Sequence, residues 1–136
     1  MIAWSEDLAL GVAAIDDQHK ELIRRFNALL TACNEGKGGD QLRATLEFLK
    51  SYVVEHFRDE EQLQIRSGYP DYPGHLEKHR EFVGKLATLR DQFDDEGASL
   101  PLIIKTNSTL VDWLVTHIRR DDQKVGAHVR RCGTAA

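Results

Sequence analysis

Apolar residues recur every three or four positions along four long stretches of the chain, the spacing of amphipathic helices packed on one core. The first stretch, about 17–34, puts His19, Leu22, Ile23, Phe26, Leu29, Leu30 and Cys33 on one face, with Asp16 placed to cap its N-terminus. The second, about 40–66, is the cleanest: Leu42, Leu46, Leu49, Val53, His56, Glu60 and Leu63 alternate by four and three. Gly36-Lys-Gly-Gly39 separates these two, and Asp40 is placed to cap the second. The third, about 73–93, carries His75, His79, Phe82, Leu86, Leu89 and Phe93. The fourth, about 101–121, opens at Pro101 and carries Ile103, Leu110, Trp113, Leu114 and His117.

No stretch shows sustained strand alternation, and the breaks between helices are short. The pattern therefore predicts an all-α, up-down-up-down antiparallel four-helix bundle. Residues 1–15 form an arm too apolar to be free (Ile2, Trp4, Leu8, Leu10, Val12), so it is expected to pack on the bundle, and 122–136 form a C-terminal segment. At 136 residues the chain reads as a single domain able to bury a core of its own.

The unusual feature is what else occupies the core stripes. Five of the six histidines lie on them, two as His75-Leu-Glu-Lys-His79 and one ahead of a carboxylate as His56-Phe-Arg-Asp-Glu60. Imidazole and carboxylate four residues apart project from one helix face, which is how a helix offers two ligands to a metal. A lone histidine on an apolar face is ordinarily a satisfied core residue. Five of them on four helices, with Glu60 on a position that demands burial, point instead to a dinuclear metal centre inside the bundle. Thiolate is absent from the set, and helix-borne histidine with bridging carboxylate best suits a pair of irons. His128 joins no stripe and is expected at the surface.

Charge and composition narrow the partners. Net charge is −4, and no basic stripe emerges, so nucleic acid is not expected; Arg119-Arg120 and Arg130-Arg131 read as solvated helix ends. No apolar run reaches membrane-spanning length, no signal peptide is evident, and Cys33 and Cys132 form no C-x-x-C motif. A cytoplasmic protein without a disulfide or membrane insertion is expected.

Taken in order, Ile15-Asp-Asp-Gln-His19, His56-Phe-Arg-Asp-Glu60-Glu, Tyr69-Pro, His75-x-x-x-His79, Trp113-Leu-Val-Thr-His117-Ile and Asp122 resemble the hemerythrins, in particular the single-domain bacterial ones. The resemblance spans nearly the whole chain. It implies two non-haem irons (Fe2+/Fe3+) with a bridging oxo or hydroxo group. One iron would be held by His75, His79 and His117, the other by His19 and His56, with Glu60 and Asp122 bridging both. Stripe spacing alone favours Asp121, four residues after His117; five residues to Asp122 requires the helix to loosen locally, as in a π-type turn.

The resemblance further implies reversible binding of dioxygen, for storage, delivery or buffering, at a position left open on the iron with two histidines. Leu114, Trp113, Phe57 and Ile118 would wall that position. Gln64, where many bacterial relatives have methionine, would edge toward it or turn to solvent. Catalytic residues are not expected; the alternative is a di-iron enzyme, such as a nitric oxide reductase or peroxidase, on the same fold. Partners for the second nitrogen of each imidazole are expected but not identifiable from spacing.

Overall fold

The computed structural model describes residues 3–97 and 99–132, without the side chains at 33, 34 and 38. The chain runs through a short 3-10 turn at Glu6–Leu8 and then α1 (Ala13–Asn34), α2 (Gly38–Ser67), α3 (Tyr72–Glu96) and α4 (Leu100–Thr116). A π-turn, His117–Asp122, continues α4 directly into α5 (Gln123–Cys132). Among the described residues there is no strand, and no helix is long and apolar enough to cross a membrane.

Side-chain pairings give the direction of each helix. Gln18 bonds Asp59 while Arg25 lies over Phe48, so α1 and α2 are antiparallel. His79 meets Glu61 while Arg43 lies over Phe93, so α3 reverses again. Lys105 reaches Gln92 while His117 meets His79, so α4 runs back along α3. The result is the up-down-up-down bundle that the apolar spacing predicts.

The stripes are buried as the spacing requires. All seven positions named on α2 and all six on α3 are buried, with Leu30 and Trp113 half-buried. Cys33, expected on the α1 stripe, and Ile2, expected in the arm, lie outside the described side chains. Leu8, Leu10 and Val12 of the arm are buried and Trp4 is half-buried.

Several boundaries differ from the sequence reading. α1 begins at Ala13, ahead of Asp16, which does not cap it. From inside the first turn, its carboxylate instead accepts the backbone N–H groups of Leu10 and Gly11. α2 begins at Gly38, so Asp40 lies in its first turn. α3 starts at Tyr72 and runs to Glu96, through Asp94, Asp95 and Glu96, stopping only at Gly97. Ser99 caps α4 by accepting the Leu102 N–H, with Pro101 in the first turn.

The largest difference is at the C-terminus, where 123–132, expected only as part of a C-terminal segment, form a further helix. Val125 and Val129 supply the reason: both are buried against Leu10, Val12, Ile15 and Leu63. His128 is correspondingly half-buried, its Nε2 2.8 Å from the Ser67 carbonyl, and Arg130 donates to the Leu10 carbonyl. His128 is therefore not a free surface group, whereas Arg130 is exposed in the last turn of α5 as expected and reaches back to the arm. Cys132 is a free, exposed thiol.

Two apolar clusters result. The larger fills the bundle from Leu22 and Phe57 through Phe82 and Leu114; the smaller is the one around Val125 and Val129. The polar residues of the core stripes lie between them. Ile15 and Leu63, one turn from His19 and Glu60, belong to the smaller cluster, while Leu22 and Phe57 on the other side belong to the larger.

Candidate metal centre

His19 and Asp122 are fully buried, and Glu60 is 2% exposed. His56, His75, His79 and His117 are buried with them. Such a concentration of ionisable groups without solvent is unfavourable unless each group meets opposite charge or a donor.

The two carboxylates divide the five imidazoles into two sets. Glu60 turns Oε2 toward His56 Nε2 (2.8 Å) and His19 Nε2 (3.1 Å). Its Oε1 faces His79 (3.2 Å), His75 (3.3 Å) and, further off, His117 (3.8 Å). Asp122 does the same, with Oδ2 3.1 Å from His19 and Oδ1 3.0 and 3.1 Å from His117 and His75. Glu60 thus presents one oxygen to the pair His19 and His56 and the other to the trio His75, His79 and His117, while Asp122 divides its oxygens between His19 of the pair and His75 and His117 of the trio.

The π-turn makes this possible. In a regular α-helix Asp121, four residues after His117, would share its face. The π-turn His117–Asp122 brings Asp122 inward instead. Asp121 is left to meet His117 from its outer side, Oδ2 3.1 Å from Nδ1.

Outer partners orient three of the rings. His56 Nδ1 donates to Gln18 Oε1 at 2.7 Å, and Gln18 passes the interaction to Asp59. His79 Nδ1 donates to Glu61 Oε2 at 2.8 Å. With Nδ1 carrying the proton, the lone pair of each ring sits on Nε2, pointing inward. Spacing did not identify Gln18, Glu61 and Asp121 as these partners.

A cation fits these residues. The Nε2 atoms of His79 and His117 face each other across 3.1 Å, although both rings have Nδ1 engaged by a carboxylate. Asp122 has three imidazole nitrogens within 3.1 Å of its oxygens, yet neither oxygen receives a hydrogen bond of acceptable geometry. Lone pairs aimed at shared points, and not at one another's hydrogens, are the arrangement a ligand set makes around metal. The ligand atoms of Glu60, His75, His79, His117 and Asp122 all lie within 4.8 Å of one another, as do those of His19, His56 and Glu60.

Without metal the cluster holds protons. Burial opposes charge on His19, yet Asp122 and Glu60 raise its pKa to about 9; His75 is raised to about 9 in the same way. Burial likewise opposes charge on His117, but Asp122 and Asp121 take it well above the ordinary value. Burial would raise Glu60, but the histidines around it, His56 foremost, hold it well below the usual carboxylate range. Asp122 is lowered too, against burial and the repulsion of Glu60, chiefly by His117.

The residues expected to wall an oxygen position take two places. Leu114, Phe57 and Ile118 are buried in the larger cluster, and Trp113 packs against it. Phe57 stacks on His79 (centroids 3.8 Å, 4° between planes) and Trp113 on His117 (4.4 Å, 20°). Both rings therefore cover the three-imidazole side, with Phe57 also 5.7 Å from His56. Their outer edges line two surface clefts: about 370 Å3 between α3 and α4 at Trp113, and about 420 Å3 between α2 and α3 at Phe57. Gln64 is fully buried and not at solvent, one turn beyond Glu60 on the side of the smaller cluster, and no protein group satisfies its carboxamide.

Comparison with known proteins identifies the family and the fold. Residues 10–129 match the family described as "Hemerythrin HHE cation binding domain". A bacteriohemerythrin of Pseudomonas paraeruginosa (strain DSM 24068 / PA7) is 32% identical over 124 residues, covering 89% of this chain and 76% of the relative. A myohemerythrin of Sipunculus nudus is 31% identical over 121 residues, covering 89% and 88%. A crystal structure of wild-type hemerythrin superposes with a TM-score of 0.76 at 32% identity, covering 95% of this chain and 98% of that one.

Proposed function

We propose that this chain, which belongs to the hemerythrin family, binds dioxygen reversibly at a pair of non-haem irons held by His19, His56, Glu60, His75, His79, His117 and Asp122. The observation that carries the reading is the division of Glu60 and Asp122, each with one oxygen toward either imidazole set. Two carboxylates so placed would hold two metal ions side by side. When bound there, a ferrous pair supplies the two electrons that reversible oxygenation takes up and gives back.

The two positions are unequal. His75, His79 and His117 serve one, whereas His19 and His56 alone serve the other. The side with fewer protein donors is where an exogenous molecule finds room. Gln18 and Glu61 fix the rings of His56 and His79, so their inward nitrogens are set before any metal arrives.

Water exclusion falls to the apolar clusters on either side. Leu114 and Ile118 are buried in the larger one, and Phe57 and Trp113 roof His79 and His117. A dry, neutral-imidazole environment favours carriage of the gas over its activation, because five imidazoles and two carboxylates donate less charge than a carboxylate-rich set would.

The test is optical. Protein reduced under anaerobic conditions should gain a visible band on admission of dioxygen and lose it when the gas is removed, over repeated cycles. Steady consumption of peroxide or nitric oxide, without a reversible band, would favour a di-iron enzyme and overturn the reading.

A further inference from the structure

Residues 8–11, from the last residue of the 3-10 turn toward α1, bond to two separate helices. On one side, Asp16 in the first turn of α1 accepts the Leu10 N–H at 2.8 Å and the Gly11 N–H at 3.2 Å. On the other, Gln123 at the start of α5 donates from Nε2 to the carbonyls of Leu8 (3.0 Å) and Ala9 (3.4 Å). Arg130, further along α5, donates to the Leu10 carbonyl at 2.5 Å.

Two glycines make the fit. Gly11 turns the chain into α1 with φ +88°, a conformation L side chains rarely adopt. At Gly126 the segment lies directly on α5: a Cβ there would come within 2.9 Å of the Leu10 carbonyl oxygen and 3.2 Å of its Cα.

The bonded positions adjoin the metal centre. Asp16 precedes His19 by three residues on α1, and Gln123 follows Asp122 directly. His19 Nε2 and Asp122 Oδ2 are 3.1 Å apart. The π-turn carrying Asp122 holds one residue more than an α turn. Relaxing it to α geometry would rotate Asp122 by about 100° and bring Asp121 to the inner face.

We infer that segment 8–11 is a clip: through Asp16 and Gln123 it holds α1 and the π-turn in the register that keeps His19 opposite Asp122. Gln123 and Asp16 are positioning residues, and Gly126 is the contact that lets the segment seat. The inference rests on the ligand roles proposed above. Its consequence is asymmetric. Loosening the clip disturbs His19 and Asp122 together on the two-histidine side. The other side keeps His75 and His79 on α3, which the segment does not bond, and is disturbed only through Asp122 and the π-turn that begins at His117.

The test is iron release from the full-length, iron-loaded chain to a ferrous chelator under anaerobic conditions. Gln123→Leu and Gly126→Ala should each release one iron at least tenfold faster than wild type, with the second slower. Leu42→Ala, a core truncation away from the segment, should show no such split at equal loss of thermal stability. In iron-free protein, amide exchange of 117–122 should quicken in Gln123→Leu while that of α2 and α3 is unchanged. Equal acceleration of both irons in all three variants, or unaltered release and exchange in the clip variants, would overturn the clip. Wild-type protein that binds fewer than two irons would instead sink the ligand assignment.

Discussion

Asp121 and Asp122, adjacent in sequence, approach the same imidazole from opposite ends: Asp121 Oδ2 lies 3.1 Å from Nδ1 of His117, and Asp122 Oδ1 lies 3.0 Å from Nε2. The π-turn separates their roles. On the proposed assignment Asp122→Asn removes a charge shared by both metal positions, so the variant should hold fewer than two irons per chain. Asp121→Asn leaves the inner set whole and should weaken metal affinity by about 10–100-fold. Iron analysis after dialysis against graded chelator checks both, and indistinguishable variants would contradict the division.

Protonation and metal compete for the same nitrogens. The iron-free protein holds His19 and His75 at pKa values raised to about 9 from 6.5. Groups raised on folding contribute stability that is complete below the unfolded value and lost as pH climbs through the folded one. The melting temperature of iron-free protein should therefore fall between about pH 6.5 and 9, and iron uptake in that range should release protons. Calorimetry across the range, with pH-stat titration of iron, provides the check; a melting temperature that is flat or rises would contradict it.

Leu114 is 3% exposed within the larger cluster, one turn before Ile118. Leu114→Ala should cost about 2–5 kcal/mol of stability and shorten the lifetime of the oxygenated form, because the cavity admits water. Leu114→Met, which nearly conserves volume, should do neither. Optical decay of the oxygenated band measures the effect, and equal lifetimes in the three proteins would place Leu114 away from the gas.

Gln64 buries a carboxamide that no protein group satisfies. Replacing an unpaired buried polar group with an apolar one of similar size is neutral to stabilising, so Gln64→Met should retain stability or gain about 1 kcal/mol. Denaturant unfolding of the iron-free protein decides it. A clear loss would show that the carboxamide is hydrogen-bonded in solution.

Much of this was legible in the sequence because burial and helix period are both written there. Leu49, Val53, His56, Glu60 and Leu63 follow one stripe, and a carboxylate on such a stripe has to be compensated. Stripe spacing alone favoured Asp121; it was the resemblance that pointed to Asp122, five residues after His117, and the π-turn supplies the loosening which that gap requires. Gln18, Glu61 and Asp121 were not legible as ring partners. They sit at positions where polar residues ordinarily face water, and only the packed bundle brings Gln18 to His56 and Glu61 to His79. α5 escaped notice for a similar reason. Its buried Val125 and Val129 are covered by the N-terminal arm, a contact between the chain's two ends that local spacing does not encode.

The most direct measurement is anomalous diffraction at the iron edge from crystals of the iron-loaded protein. Two peaks per chain are predicted, both flanked by Glu60 and Asp122, one beside His19 and His56 and the other beside His75, His79 and His117. A single peak, or peaks away from these side chains, would contradict the account.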